Sequence, residues 1–113
     1  MVIIPGMSIE LKPGASIDGC KSEILIPLIT KIDPEFAKFG VNTVITSGSE
    51  NYKHSVKRSA HYDGRGVDLR SRDLPEEKRL QMFHTLQKVL GEDYVVIYEV
   101  DHYHVHWGPV FKE

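Results

Sequence analysis

Cysteine is nearly absent from this chain: Cys20 is the only one among 113 residues. No internal disulfide can support the fold, and cysteine usage says nothing about the redox compartment. Long apolar runs are missing too. The run at the start, Met1-Val-Ile-Ile-Pro5, is too short for the core of a secretory signal and has no basic lead. No segment approaches the roughly 20 apolar residues that a membrane-spanning helix needs. The expectation is cytoplasmic synthesis without a signal peptide, and no membrane partner. Neither charge sign dominates: 14 Lys and Arg stand against 16 Asp and Glu, a net charge of −2. Nucleic-acid binders are usually strongly basic, so that class of partner is not expected either. Repeats, linkers and low-complexity stretches are lacking, and with them any second module for gripping a polymer.

What is present reads as an ordinary globule, 41% hydrophobic and 27% charged. The length suits one domain spanning residues 1–113, expected to be a monomer. Residues 1–19 carry Pro5, Gly6, Pro13 and Gly14 and read as an extended arm. Ile24, Leu25, Leu28, Ile29 and Ile32 recur at helical spacing, so a helix should begin at Ser22 or Glu23 with Pro27 in its first turn. Asp33-Pro34 resembles an N-cap and first-turn pair opening a short segment that ends at Gly40. Val41 to Ser47 reads as a strand. Asp73 should open another helix with Glu76 as its capping-box partner. Its buried stripe would be Leu80, Phe83, Leu86 and Leu90, closed by Gly91. Tyr94 to Val100 and His102 to Trp107 are β-prone runs joined by a bend near Asp101. The expected fold is α+β, a small and mostly antiparallel sheet with helices on one face.

Two clusters depart from this plain pattern. In Ser59-Ala-His61-Tyr-Asp-Gly64-Arg-Gly66-Val-Asp68, a histidine and an aspartate stand seven residues apart across a Gly-x-Gly. The glycines allow positive φ or close backbone approach, and Val67-Asp68-Leu69 then alternates like a short strand. A loop ligand and a strand ligand can converge in this way. About thirty residues on, Asp101-His-Tyr-His-Val-His106 puts His102, His104 and His106 on one strand face and Tyr103, Val105 and Trp107 on the other. Three imidazoles on one face have little packing value, because a buried polar ring without partners loses solvation. Imidazole nitrogens and one carboxylate oxygen suit Zn²⁺, and three protein ligands leave a fourth position open for water. His54 reads as a loop residue and His84 as a structural residue on a helix.

Together the clusters resemble the zinc D-alanyl-D-alanine carboxypeptidase and L-alanyl-D-glutamate endopeptidase superfamily, whose fold hedgehog signalling domains share. The pattern is Ser59-x-His61-x-x-Gly64-x-x-x-Asp68, then Asp101-x-x-His104 with His102-x-His104; the run Val41 to Gly48 is similar to the strand before the first motif. The resemblance covers roughly residues 20–109 and implies zinc held by His61, Asp68 and His104, with His106 the second choice for the last ligand. It further implies Asp101 as general base and then acid, with Glu99 in reserve, and His102 as an imidazole stabilising the oxyanion. The implied reaction is hydrolysis of an amide beside a D-amino acid in a peptidoglycan stem peptide. The implied setting is a phage lysin or virion-associated hydrolase that reaches the wall after holin-type release or injection. One departure concerns the substrate. Many members carry an arginine just after Thr-Ser-Gly, whereas Ser49-Glu50 follows Gly48 here. Lys53, Lys57, Arg58 and Arg70 are the cations available to replace it, and Ser59 with Arg58 are the expected substrate contacts. The rival classes are a zinc-containing binding module and a structural component stabilised by metal. Asp101 and His104 should also point to opposite faces of a regular strand, so a bulge or a strand start is needed between them.

Overall fold

Period-two alternation in the last part of the chain builds a hairpin, and the sheet grows outward from it. The computed structural model describes residues 2–3, 8–49 and 64–108. Strands β5 (Tyr94–Glu99) and β6 (His102–Trp107) are antiparallel and joined by a two-residue turn, with Glu99 opposite His102. Strand β4 (Gly66–Arg70) pairs antiparallel with the other edge of β6, and β3 (Thr43–Ser47) pairs antiparallel with β4. Strand β2 (Ile9–Leu11) lies parallel to β3, and the two-residue β1 (Val2–Ile3) pairs antiparallel with β2. The order is β1-β2-β3-β4-β6-β5, a mixed and mostly antiparallel sheet with five strands of three residues or more. The expected N-terminal arm is thus partly sheet.

One face of the sheet is apolar and carries the helices. Ile9, Ile45, Val67, Leu69, Val96, Tyr103 and Val105 pack against Ile24, Leu28, Ile32, Phe36, Met82 and Leu86 in one buried cluster. Helix α1 (Ser22–Pro27), a π-helical stretch (Leu28–Ile32) and α2 (Asp33–Ala37) follow one another directly. The start at Ser22 is as expected, but Pro27 sits at the end of α1, beyond its first turn. Proline has no N–H, so the Glu23 carbonyl four residues back loses its helical partner. The Tyr94 hydroxyl donates to that carbonyl at 2.6 Å and ties α1 to the hairpin. Asp33 is not an N-cap. Its carboxylate accepts from the Thr43 hydroxyl at 2.7 Å and from the Ser8 backbone N–H at 3.4 Å, fastening α2 to the strands.

Helix α3 (Glu76–Leu90) also departs from expectation at its start. Pro75 holds the N-cap position, no side chain caps the helix, and Asp73 instead binds Arg70 through two bonds of 3.0 and 2.8 Å. Two charge-assisted bonds to one carboxylate oxygen, Oδ2, outcompete a single capping bond. The buried stripe is Met82, Leu86 and Leu90 with Phe83 beside it, while Leu80 is exposed. At 100° per residue Leu80 lies off that stripe, and Arg79 takes the inward place by donating to the Leu74 and Arg72 carbonyls. Gly91 ends the helix with φ of 87°, a conformation that favours glycine. No helix among the described residues is long and apolar enough to cross a membrane.

The outer strand β5 needs protection, since an open edge is a template for pairing with another chain. Gln87 supplies it. Its Nε2 donates to the Tyr94 carbonyl at 2.8 Å, and its Oε1 accepts from the Val96 N–H at 3.0 Å. One side-chain amide stands in for a residue of a neighbouring strand. Gln87→Met keeps the bulk and removes both bonds. It should lower stability by about 1–3 kcal/mol, read from the denaturant midpoint, and promote self-association in sedimentation. An unchanged midpoint would mean that the edge does not depend on Gln87.

Candidate metal centre

The open face of the sheet is where the polar side chains gather. Because Val67 and Leu69 pack into the core opposite Val105 and Tyr103, the residues between them must face the other way. Asp68 is therefore opposite His104, Gly66 opposite His106 and Arg70 opposite His102. On β5, Val95, Ile97 and Glu99 flank the same three histidines. The face expected from alternation, with all three imidazoles together, is present.

Two hydrogen-bonded chains occupy it. In the first, His104 Nδ1 lies 3.0 Å from Asp68 Oδ1, and His104 Nε2 lies 2.9 Å from His106 Nδ1. A carboxylate only accepts, so Nδ1 of His104 carries the proton; in the neutral ring Nε2 then accepts, and His106 donates. In the second, His102 Nδ1 lies 2.8 Å from Asp101 Oδ1 and its Nε2 lies 3.1 Å from Glu99 Oε1. Asp68 Oδ2 is 3.9 Å from the same Nε2, so His102 stands between the two chains. Asp101 reaches this face because it belongs to the hairpin turn, where strand alternation has not yet begun. That turn is the strand start that the spacing requires.

The second chain perturbs both of its partners. The His102 hydrogen bond, foremost, holds the exposed Asp101 carboxyl below its usual range. For His102 partial burial is the largest influence and pulls downward. The Asp101 hydrogen bond and the charges of Asp68, Glu99 and Asp101 outweigh it and raise the imidazole above its ordinary value.

A groove of about 580 Å³ opens beside these chains, lined by Asp68, Asp101 and His102 and by both Thr46 and Ser47. Consecutive residues of a regular strand cannot share a face. Here the β3–β4 register is irregular between Ile45, opposite Leu69, and Ser47, opposite Asp68. Two residues of β3 thus answer one of β4, as in a bulge.

Of the expected zinc ligands, Asp68 and His104 are brought together, on adjacent strands and at 3.0 Å. One carboxylate and one imidazole are donors that zinc accepts, and the proton between them is the one a shared ion would displace. Among the described residues no group of three or more His, Cys, Asp and Glu is placed to hold a metal ion. His61, expected as the third ligand, lies outside the described residues, as do Arg58, Ser59, His54, Lys53 and Lys57. The chain enters the site from Gly64, whose φ is 78° and whose missing Cβ leaves room for the Gly19 carbonyl. His106, weighed in the sequence as a rival ligand, faces His104 across a hydrogen bond. No protein-family model, curated protein or solved structure matches this chain.

Metal-free protein offers a direct check on the second chain. The His102 resonance should titrate above about 6.5, the ordinary imidazole value, and Asp101→Asn should bring its midpoint down. A raised histidine pKa stabilises the fold below the unfolded value of about 6.5, and that contribution is lost as pH rises through the folded value. The lowered Asp101 value acts in reverse: its contribution is present above about pH 3.9 and is lost as pH falls through the folded value. Stability from the pair therefore peaks in mildly acid solution. An identical His102 midpoint in Asp101→Asn would contradict the coupling.

Proposed function

We propose that this chain is a zinc-dependent amidase of the hedgehog-like peptidase fold, acting on a peptidoglycan stem peptide beside a D-amino acid. The observation that carries this reading is the Asp68–His104 pair on the open sheet face, next to a groove and to an acid–imidazole pair. A solvated strand face has no need of two carboxylate–imidazole contacts in register. Asp68 and His104, with His61 from the sequence before β4, would hold the ion, while His106 orients His104 from behind as ligand partners commonly do. The chemistry such an ion supplies is Lewis acidity towards the scissile carbonyl and the attacking water.

The remaining steps belong to side chains of the second chain. Asp101 accepts the proton of the attacking water and returns it to the leaving amine. Through its other oxygen it accepts from His102 Nδ1–H and holds the protonated ring with its Nε2–H turned towards Glu99 and Asp68. His102, its pKa raised, donates to the oxygen on which negative charge develops. A second assignment has a specific observation behind it: Glu99 Oε1 is also on His102, at 3.1 Å. Glu99 would then take the proton and Asp101 would act only by positioning the ring. A wall-directed role, after holin-type release or as part of a virion, accords with the substrate proposed. The alternative class, a binding or structural module of the same fold, keeps the metal and loses the chemistry.

Mass analysis of purified muropeptides after incubation identifies the bond directly, and intact muropeptides would refute the enzyme reading. A chelator separates the classes. Activity lost with the fold intact marks a catalytic ion, whereas unfolding marks a structural one.

Elemental analysis should find one zinc per chain, with severe loss in His61→Ala, Asp68→Ala and His104→Ala. His106→Ala should still bind zinc, about 10–100-fold more weakly. Loss of metal in His106→Ala with retention in His104→Ala would exchange their roles. Zinc-loaded Asp101→Ala should keep its fold and lose about a hundredfold to ten-thousandfold in turnover. If Glu99→Ala shows that loss instead, the second assignment is the correct one.

A further inference from the structure

Three glycines let distant parts of the backbone meet between β2 and α1. A Cβ at Gly48 would run into the Ser16 carbonyl, and one at Gly64 into the Gly19 carbonyl. At Gly19 it would come within 3.1 Å of the Ser49 Cβ. Such approaches suit a residue without a side chain. The stretch Ser16–Lys21 therefore lies against the chain leaving β3 on one side and the chain entering β4 on the other.

Hydrogen bonds complete the junction. The Ser49 N–H donates to the Ser16 carbonyl at 2.7 Å. The Ser49 hydroxyl donates to the same carbonyl at 3.3 Å and accepts from the Gly19 N–H at 2.8 Å. At the other end, the Lys21 N–H donates to the Gly64 carbonyl at 2.9 Å. Gly19 is common to both ends: its N–H takes Ser49 and its carbonyl packs on Gly64. The stretch is itself braced. The Asp18 N–H donates to the Ser16 hydroxyl at 3.1 Å and the Cys20 N–H to the Ile17 carbonyl at 3.0 Å, while Ile17 and Cys20 pack against the core. None of these residues lines the groove or belongs to the imidazole chains.

The sequence between the two ends, residues 50–63, contains His61. Bringing chain ends together costs entropy, and ordering done on folding does not have to be done again on binding. We propose that Ser49 is a positioning residue for zinc: Ser16–Lys21 clasps both ends of the connection that carries His61, and Ser49 is the side chain that fastens the first of them. The proposal rests on the ligand set of the amidase reading and adds to it a residue outside that set.

The test measures the zinc affinity of the full chain, by chelator competition or, where binding is weak, by direct calorimetric titration. Ser49→Ala should weaken zinc binding about twofold to tenfold, the scale of one hydrogen bond, with circular dichroism unchanged, and Ser49→Thr should restore it. Gly19→Ala keeps the Ser49 hydroxyl but crowds it, and should fall with Ser49→Ala. In a His61→Ala background the Ser49 substitution should change nothing further, since no ligand is left for the clasp to place. Wild-type affinity in both Ser49→Ala and Gly19→Ala would overturn the proposal. So would an equal loss with and without His61, which marks a general effect on the fold. If His61→Ala binds zinc as the wild type does, the ligand assignment fails and the proposal with it; a loss in His61→Ala alone refutes only the clasp.

Discussion

Everything at the candidate site depends on one antiparallel register, that of β4 against β6. Val67 faces Val105 and Leu69 faces Tyr103 on the side covered by helices, which fixes Asp68 opposite His104 on the other. The hydrophobic energy of the core therefore sets the polar geometry without any polar side chain contributing to it. A slip of β4 by one residue would bury Asp68 and expose Val67 and Leu69, each effectively inaccessible to solvent in the fold. Truncating such a core side chain costs several kcal/mol on the scale of measured core deletions, far more than an exposed ion pair returns. Hydrophobic pairing is the stronger constraint, and the site inherits its accuracy.

That division of labour explains what was legible in the sequence. The imidazole face of β6 follows from alternation alone, because His102 to Trp107 is a regular strand with an apolar partner at every second position. The α+β class and the helices on one face follow from periodicity for the same reason. Features set by contacts between distant segments were out of reach. Asp33 has the local look of a helix cap, yet Thr43 and Ser8 claim its carboxylate. Asp73 has the local look of a cap as well, yet Arg70 claims its carboxylate. Pro27 reads as a first-turn residue because nothing near it announces that Tyr94, 71 residues after Glu23, takes the carbonyl it leaves open. Spacing puts Leu80 on the stripe of α3 because the inward Arg79 is polar, and its bonds to backbone carbonyls leave no trace in the spacing.

The site shows the same split. Asp68 and His104 were identifiable as metal-ligating types, and their adjacency is a fact of strand pairing. The role of His106 is different. Spacing makes it a competitor of His104, whereas in the fold it is the partner of that ring. Asp101 needed a departure from strand geometry to reach the imidazole face, and the two-residue turn provides one.

The irregularity in β3 sets how Thr46 and Ser47 both come to line the groove beside the site. Up to Ile45 the strand is in phase with β4; beyond it, Ser47 is level with Asp68, so odd and even positions have exchanged sides. Thr46 and Ser47 line the same wall because of that phase change, whatever their chemistry. The chain thus encodes part of the groove as a count of residues. Deleting either one would restore the phase and withdraw a hydroxyl, whereas exchanging the two would leave the outline of the groove largely as it is.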